Sequence, residues 1–433
     1  MLSKEDNELL TRIEPGTPMG NLFRQYWMPA LLSSELPETD GAPKRLRLLG
    51  EELVAFRTTS GQVGLLANNC SHRGASLFFG RNEEEGLRCV YHGWKYDVAG
   101  NCLDMPNEPP ETSFKEKIHH QAYPSWEQNG VIWTYMGPRK DPPPHPELEW
   151  TQVPVGHFTM GKTLRECNWA QAFEGDIDDA HVSFLHSRLR GWGSDGLASQ
   201  LMHASKAPHL EVVETVGGVM YGVRRPANED QYNWRIKHFM FPSFTMVTTG
   251  TPRDEGTLPS HMWMPVDDHH TMQFGIRWNP TEPLTEEQLL DGAVSNVHDY
   301  LPNGSDPLEQ FRPVANRSND YLLDYDLQKT TQYSGVPLIP LQDKAITESM
   351  GPILDRTREH LGSTDAMVAQ VRRRLIAAAK ALRDEGTPPP GVDNPEIYRV
   401  RSAIVNLRKD ADWIEETREV VKAFNGQRAA SVV

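Results

Sequence analysis

Two cysteines and two histidines constrain this chain more than any other feature of its sequence. They form the pattern Cys70-x-His72, sixteen intervening residues, then Cys89-x-x-His92. Thiolates and imidazoles are typical metal ligands, and two kinds of site use two of each. One is a tetrahedral zinc site. The other is a [2Fe–2S] cluster with both cysteines on one iron and both histidines on the other.

The surroundings of these four residues favour the iron–sulfur cluster. Each pair combines one Cys with one His, whereas zinc fingers place their two histidines together on a helix. Gly74 and Gly93 follow the two pairs, and glycine allows a loop to curl around a compact ligand. Histidine ligands also raise the reduction potential of such a cluster, which suits an acceptor of electrons. Zinc remains an alternative at this point.

A second group of candidate ligands lies in the segment from Cys167 to His186, which has helical character. Asp178 and His181 are three residues apart, so a helix would place them on one face. His186 can join them if the helix loosens there. Two histidines and a carboxylate form the facial triad of O₂-activating Fe(II) enzymes, and an iron–sulfur cluster would supply electrons to such a site.

The ligand that would complete this triad must come from elsewhere in the chain. Asp343 is the best candidate, because it follows a proline-rich loop that opens a predicted helix. However, an acidic residue is also favoured near a helix N-terminus for electrostatic reasons alone. Asp324 and Asp326 are further candidates that spacing does not exclude.

Strand and helix patterns divide the chain into two parts. Residues 45–135 contain short β-rich runs, and the proline-rich stretch 141–146 is typical of a linker. Residues 210–279 return to β-rich runs. Helices are then predicted at 285–300, 343–360 and 364–385, the last of them stopped by Gly386 and the prolines after it. The pattern indicates a small all-β domain followed by an α+β domain.

Charge and cysteine usage argue against several kinds of partner. The 433 residues carry a formal net charge of −15, so nucleic acid or an anionic membrane surface would repel the chain. No apolar run approaches the roughly 20 residues of a membrane span. The N-terminus lacks the apolar core of a signal peptide, and four cysteines without one argue against a disulfide framework. We therefore expect a cytoplasmic location.

The two metal motifs, in this order and at this separation, resemble the α-subunits of Rieske non-haem iron oxygenases. The likeness is to the phthalate 4,5-dioxygenase-like group, which includes chlorobenzoate and phenoxybenzoate oxygenases. It covers nearly the whole chain and includes further segments, namely Tyr91–Tyr96, Asn168-Trp169, Asn319–Tyr321, Gln342-Asp343, Glu348–Ile353 and Glu359–Gly362.

The resemblance implies which residues hold the metals. Cys70 and Cys89 would bind one iron of a Rieske [2Fe–2S] cluster, and His72 and His92 would bind the other.

At the second site, the mononuclear Fe(II) would be bound by His181, His186 and Asp343, which favours Asp343 over the other acids. Asn168 matches a position near this iron.

Asp178 matches an aspartate that bridges two metal sites in the family. It would hydrogen-bond His181 and the His92 of a neighbouring subunit, so that electrons cross between subunits. Members of this group form head-to-tail homotrimers, and stacking into a hexamer is the alternative assembly. A head-to-tail interface closes into a ring, as such electron transfer requires.

The fold implied by the resemblance is α+β. An N-terminal all-β Rieske [2Fe–2S] domain precedes a helix-grip (START-like) catalytic domain, in which an antiparallel sheet wraps around a long helix. We expect an N-terminal helical segment at 1–25, the Rieske domain at 26–140 and the catalytic domain at 141–433.

The implied activity is that of a terminal oxygenase component. Electrons from NAD(P)H would arrive through a separate flavin/ferredoxin-type reductase. With O₂, an aromatic substrate would be cis-dihydroxylated, monooxygenated or O-demethylated. The alternative is a Rieske-type electron carrier without oxygenase activity.

The substrate prediction rests on basic residues between Val219 and Thr249. This stretch contains Arg224, Arg225, Arg235, Lys237 and His238. Because the arginine fork binds a carboxylate through two hydrogen bonds, we expect an aromatic carboxylate such as a phthalate or substituted benzoate. Arg235 and Arg224 are the leading anchors, although each could equally face solvent from a surface strand.

Overall fold

In the computed structural model, the described residues are 1–112, 114–189, 200–201, 205–248, 256–290 and 299–424. The described α-helices are α1 (Lys4–Thr11), α2 (Pro18–Phe23), α3 (Trp169–Ile177), α4 (Glu286–Leu290), α5 (Tyr325–Thr330), α6 (Ile339–Ser349), α7 (Ala366–Glu385) and α8 (Trp413–Thr417). None of the helices in these ranges combines the length and the apolar character that a membrane crossing needs.

The N-terminal part is built from three small antiparallel sheets. Its strands are β1 (Trp27–Leu32), β2 (Lys44–Leu48), β3 (Glu51–Arg57), β4 (Val63–Ala67), β5 (Arg81–Glu83), β6 (Gly86–Arg88), β7 (Lys95–Tyr96), β8 (Cys102–Asp104), β9 (Ala122–Tyr123), β10 (Ser125–Gln128) and β11 (Val131–Tyr135). Their sheet orders are β1-β11-β10, β2-β3-β4-β9 and β5-β6-β7-β8. A small core that includes Phe56, Leu87 and Trp94 lies between the last two sheets and also buries Cys70 and Cys89.

The C-terminal part is organised around one eight-stranded antiparallel sheet. Its strands are β12 (Phe158–Arg165), β13 (His209–Thr215), β14 (Gly218–Pro226), β15 (Gln231–Met240), β16 (Phe244–Met246), β17 (Leu258–Asp267), β18 (His270–Trp278) and β19 (Ala403–Arg408). The order is β12-β18-β17-β16-β15-β14-β13, and β19 pairs with the first half of β15.

The long helix α7 packs across strands β13 and β14 and against α1 and α2. Met367, Val371 and Leu375 recur at four-residue spacing and lie on its buried side. The helix ends at Gly386, which adopts a left-handed conformation with φ 69°. The all-β part followed by an α+β part, in which one sheet packs against a long helix, agrees with the predicted fold class.

Buried ion pairs join the two parts. Lys162 on β12 lies 2.8 Å from Glu35, and both side chains are almost fully buried. Arg47 on β2 reaches Asp267, at the end of β17, at 3.1 Å. A charged group left unpaired in such an interface would be costly, so these pairs help to fix the position of the N-terminal sheets on the eight-stranded sheet.

Two predicted helices have different bounds in the structure. The helix that carries Asp343 begins at Ile339 and ends at Ser349 instead of running over 343–360, because Gly351 and Pro352 follow it. Only Glu286–Leu290 of the helix predicted at 285–300 is seen as helix. Much of the remainder lies outside the described residues.

Candidate active site

The four residues of the first motif lie on two loops of the same construction. One loop follows β4 and the other joins β6 to β7. In the first loop, the Cys70 amide donates to the Ala75 carbonyl and the Gly74 amide donates to the Cys70 carbonyl. In the second loop, the Cys89 amide donates to the Trp94 carbonyl and the Gly93 amide donates to the Cys89 carbonyl. Gly74 and Gly93 have φ 74° and 81°. The tight turns thus require glycine, as expected.

The donor atoms of these loops suit an iron–sulfur cluster better than zinc. A tetrahedral zinc ion needs four donors about 4 Å apart or less. Among the described residues, however, these four yield no three donors that all lie within 4.8 Å of one another. His72 Nδ1 is buried without a hydrogen-bonding partner, as expected of a nitrogen reserved for a metal. The donors therefore fit a ligand wider than one ion.

Aromatic side chains pack beside the cluster histidines. The ring of Trp94 stacks on His72 with centroids 4.4 Å apart, and the rings of His72 and His92 lie 4.3 Å apart. The Trp94 indole donates to Asn107 at 2.7 Å. On the cysteine side, the Tyr96 hydroxyl lies 3.2 Å from Cys70 Sγ. Both histidines remain partly exposed, so this end of the molecule is accessible to another protein.

The second constellation converges on one point. His181, His186 and Asp343 form the one group of three such donors within 4.8 Å in the described part of the chain. The two Nε2 atoms lie 3.2 Å apart, and Asp343 Oδ1 lies 3.5 Å from His181 Nε2 and 3.2 Å from His186 Nε2. Adjacent ligands at about 2.1 Å from one metal ion are separated by about 3 Å, so the spacing fits a metal. Asp324 and Asp326 are not in this group.

Hydrogen bonds at the far side of each imidazole orient the donor atoms. His181 Nδ1 donates to Asp178 Oδ2 at 3.2 Å. His186 Nδ1 donates to Gln342 Oε1 at 2.7 Å, and the Gln342 amide in turn donates to the carbonyl of Val336 at 2.7 Å. With Nδ1 protonated, each ring presents an unprotonated Nε2 to the metal position. The role of Gln342 was not predicted, although the residue directly precedes Asp343.

The histidines and the carboxylates of this group each stabilise the charged form of the other. Burial alone would raise the pKa of Asp343, but His186 and His181 lower it to about 2. Burial opposes the charged form of His181, but the hydrogen bond with Asp178 and the charge of Asp343 raise its pKa. The carboxylates of Asp178 and Asp343 therefore stabilise positive charge at this position.

The backbone around Asp178 differs from the predicted helix. Helix α3 ends at Ile177, and Asp178 is its C-cap in an extended conformation. The Asp178 side chain accepts the amide of Ala180 at 2.8 Å, which turns the chain sharply. His181 then begins a short 3₁₀ turn. The prediction that Asp178 and His181 share a helix face is therefore wrong, and a side-chain turn brings them together instead.

Asn168 lies away from the three converging residues. It is the N-cap of α3, at the other end of a nine-residue helix that is about 13 Å long. Its side-chain oxygen accepts the amide of Ala170, and its amide group donates to the carbonyls of Thr11 and Asp268. The structure thus places Asn168 in a capping and bridging position, and not beside the iron ligands as predicted.

Arg224 and Arg235 lie on opposite faces of the sheet. Arg235 pairs with Val223 across the β14–β15 ladder, whereas Arg224 pairs with Trp234. Side chains alternate along a strand, so Arg224 stacks over Tyr232 and Trp234 on the face away from α3. This placement does not bring the predicted anchor Arg224 to the metal-binding residues.

Arg235 lies on the inner face with other charged residues that were not predicted as site residues. Lys237 Nζ lies 2.6 Å from Asp179 Oδ1, and Arg225 Nη1 lies 2.5 Å from Asp179 Oδ2. Asp179 follows Asp178, and the charge of Lys237 acts on His181. We call these four residues (Asp179, Arg225, Arg235 and Lys237) the charged cluster. In the sequence, the pair of adjacent acids Asp178-Asp179 is the one local feature that indicates this cluster.

Comparisons with known proteins agree with this architecture. A model of the Rieske [2Fe-2S] domain matches residues 26–124, and one described as LigXa C-terminal domain like matches residues 134–430. The 3-chlorobenzoate-3,4-dioxygenase oxygenase subunit of Comamonas testosteroni is 42% identical over 95% of this chain and 97% of its own length. The phthalate 4,5-dioxygenase oxygenase subunit of Pseudomonas putida is 36% identical over 98% and 97%.

The similarity to a solved structure supports the fold and nothing beyond the fold. Dicamba monooxygenase bound to dicamba superimposes with a TM-score of 0.55 at 18% identity, over 84% of this chain and 99% of its own.

Fold and sites together define the class of protein: an iron–sulfur domain that delivers electrons is joined to an α+β domain that binds a single iron. The chain belongs to the Rieske non-haem iron oxygenases and is an oxygenase subunit similar to those that act on phthalate and chlorobenzoate. It carries a Rieske [2Fe–2S] cluster and a mononuclear iron, and it works with a partner that supplies electrons.

Proposed function

We propose that this terminal oxygenase acts on a small aromatic carboxylate, whose carboxylate group is bound by Arg235. The observation that carries the proposal is an arginine with unpaired donors buried close to the residues that follow α3. The two relatives named for chlorobenzoate and phthalate, at 42% and 36% identity, support the same substrate class.

The hydrogen bonding of Arg235 is incomplete. The residue is only 2% exposed, and its Nη2 donates to the carbonyl of Thr248. Its Nε and Nη1, together with the Thr248 hydroxyl, are buried without a partner among the described residues. Burying such donors unpaired is costly, and a carboxylate would satisfy a guanidinium and a hydroxyl together.

For the metals, we propose the ligands indicated by the motifs. Cys70, Cys89, His72 and His92 would hold the cluster. His181, His186 and Asp343 would hold the mononuclear iron, which supplies O₂ activation when bound.

The protein contributes orientation at that iron. Asp178 and Gln342 keep the Nδ1 atoms of the two histidines protonated, so that their Nε2 atoms serve as ligands.

We further propose that electrons pass from the cluster of one subunit to the iron of the next in a head-to-tail homotrimer. His92 is partly exposed, and Asp178 retains 27% of its side-chain accessibility, so each can contact another chain. Apolar side chains are exposed beside both, namely Val90 and Tyr91 next to the cluster and Ile339 and Ile346 on the helix of Asp343. Exposed apolar patches of this kind mark protein interfaces.

The substrate proposal is tested by comparing an aromatic carboxylate with its neutral amide. A panel of benzoates, phthalates and methoxybenzoates, with product analysis, identifies the preferred carboxylate and separates dihydroxylation from monooxygenation. Arg235→Ala should then raise the KM for that carboxylate about tenfold or more and leave the KM for its amide nearly unchanged. Arg224→Ala, on the other face of the sheet, is the matched control. Equal effects of Arg235→Ala on both compounds would rule out the anchor.

The electron path is tested by mixing two inactive subunits. Cys89→Ser removes the cluster, and Asp343→Ala removes the mononuclear iron. If electrons cross between subunits, co-assembled trimers regain part of the activity, because one interface joins an intact cluster to an intact iron. An inactive mixture whose trimeric mass is verified by light scattering would refute transfer between subunits.

The cytoplasmic location stays a prediction.

A further inference from the structure

The charged cluster contains more positive than negative charge. Arg225, Lys237 and Arg235 are cations on one face of β14 and β15. Among the described residues, Asp179 is the one carboxylate at ion-pair distance from Arg225 and Lys237. All four residues are at least 96% buried. Buried charges are normally paired. The cluster has three cations and one carboxylate, and Arg235 is the cation that has no ion pair among the described residues.

Each oxygen of the Asp179 carboxylate lies at ion-pair distance from one of the three cations, although Oδ1 makes no hydrogen bond of regular geometry. Lys237 lies 2.6 Å from Oδ1 and Arg225 2.5 Å from Oδ2, while a second Arg225 nitrogen donates to the Asp179 carbonyl at 3.0 Å. Arg235 is two residues before Lys237 on β15, so its side chain lies on the same face as the Lys237–Asp179 pair. No ion pair forms between Arg235 and Asp179.

The other nearby acids among the described residues, Asp176 and Asp178, form hydrogen bonds with residues outside the charged cluster. Asp178 accepts from His181. Asp176 Oδ2 accepts hydrogen bonds from Thr245, His261 and Trp263 at 2.6, 2.9 and 2.7 Å. Among the described residues, neither acid lies within ion-pair distance of a cluster cation, so Asp179 is the carboxylate for which Arg235 could compete.

We propose that Lys237 determines specificity for a carboxylate substrate, because by occupying Asp179 it keeps the guanidinium of Arg235 free to bind that substrate. The inference rests on the proposed function, in which Arg235 is the anchor. It adds that a residue with no role in substrate contact decides whether the anchor is available. Lys237 acts through Asp179 and Arg235 and is thus a positioning residue.

The physical reason is competition between an internal and an external carboxylate. Without Lys237, Asp179 Oδ1 would lose its cation and remain buried, which is costly. Arg235 is the cation of the cluster with unpaired donors among the described residues, and an arginine–carboxylate pair is strong in such surroundings. Asp179 would then take the place of the substrate carboxylate.

The test compares Lys237→Met with Lys237→Arg in the iron-loaded enzyme. The probes are 3-chlorobenzoate and its neutral analogue 3-chlorobenzamide, and calorimetry measures the affinity for each. Lys237→Met should weaken binding of the carboxylate about tenfold or more and leave that of the amide within about twofold. Lys237→Arg keeps the positive charge beside Asp179 and should retain the preference for the carboxylate.

Lys162→Met is the matched control for the loss of a buried lysine. Lys162 pairs with Glu35 at 2.8 Å and is equally buried, but it lies between the two parts of the molecule. This variant should lower stability without altering the ratio of the two affinities.

The outcomes separate this inference from the proposed function. If Arg235→Ala removes the preference for the carboxylate and Lys237→Met does not, the anchor stands and the inference fails. If neither changes the preference, or if the unmodified enzyme has none, both fail. Equal loss of affinity for both probes in Lys237→Met would indicate general damage to the pocket and would also overturn the inference.

Discussion

The cluster loops and the mononuclear iron site are built in different ways. All four cluster residues lie within 23 positions of the chain, on two loops closed by their own backbone hydrogen bonds. The iron site combines residues 178–186 with Asp343, more than 150 positions later. Side-chain contacts to Asp178 and Gln342 orient its donors, and neighbouring ion pairs at Asp179 fix the adjoining strands.

This difference has a consequence for how each site responds to change. A site made of local turns depends on a few backbone conformations, so damage to one loop should remain in that loop. A site made by tertiary packing depends on buried charges and oriented side chains, and these couple it to distant elements. The cluster should therefore tolerate changes in the catalytic sheet that the iron site does not.

The largest effect is expected from removal of the carboxylate ligand. Asp343→Ala should abolish product formation and lower the iron content from about three to about two per chain, because the Rieske cluster keeps its two irons. Metal analysis and the EPR signal of the reduced cluster measure both quantities. Asp326→Ala, at an exposed acid outside the site, is the control. Three irons in Asp343→Ala would show that another ligand completes the site.

The next largest effect should follow from substitution in a cluster loop. Gly74 and Gly93 both have positive φ, so alanine costs about 1 kcal/mol in either turn. At Gly93, however, a new Cβ would also lie 2.6 Å from Pro106, whereas at Gly74 it meets nothing within 4 Å. Gly93→Ala should therefore lose most of its acid-labile sulfide, and Gly74→Ala should keep most of it.

The same pair of variants examines whether damage stays local. In both, mononuclear iron should still bind, since the catalytic sheet is unchanged. Equal sulfide loss in the two variants would mean that φ strain alone governs the loops.

An intermediate effect is expected at Gln342. Gln342→Leu removes the acceptor of His186 Nδ1, so the ring is no longer held in the tautomer that presents Nε2. Loss of such a supporting group typically weakens metal binding or activity about 10- to 100-fold. Iron titration of the metal-depleted protein measures the change, while the sulfide content serves as an internal control. Unaltered iron affinity would assign Gln342 to packing alone.

The smallest effect on chemistry is expected at Asn168. Asn168→Ala removes a helix cap and two buried hydrogen bonds, which should lower the free energy of unfolding by about 2–4 kcal/mol. The folded fraction should nevertheless bind iron and form product normally. Asn168→Ser, which retains a capping oxygen and adds no buried charge, should lose less stability. Loss of iron without loss of stability would place Asn168 back among the residues that act at the metal.

The two sites also differ in how well they could be predicted. For the cluster, the candidate ligands and the need for Gly74 and Gly93 followed from the sequence, because both loops are short and self-contained. At the iron site, the residue types were predictable but the geometry was not. Asp178 leaves the helix because its own side chain caps the following turn, and the periodicity of the segment carries no sign of this.

The substrate-binding residues were the hardest to predict. A stretch rich in basic residues does not show on which face of the sheet each side chain lies. Arg224 and Arg235 are similar in sequence context, yet the register of the β14–β15 hairpin places them on opposite faces. A shift of one residue would exchange the two faces.

The sequence by itself determined the chemistry of this protein: two thiolates, four imidazoles and their spacing specify a Rieske cluster and a second metal site. Spacing alone left Asp324 and Asp326 open beside Asp343, and the tertiary structure brings Asp343 to the two histidines. Only the tertiary structure decided that two donors of Arg235 have no partner among the described residues. The reason is physical. Ligand type and local turns are encoded within a few residues. By contrast, the direction of a side chain and the pairing of buried charges depend on how distant segments pack together.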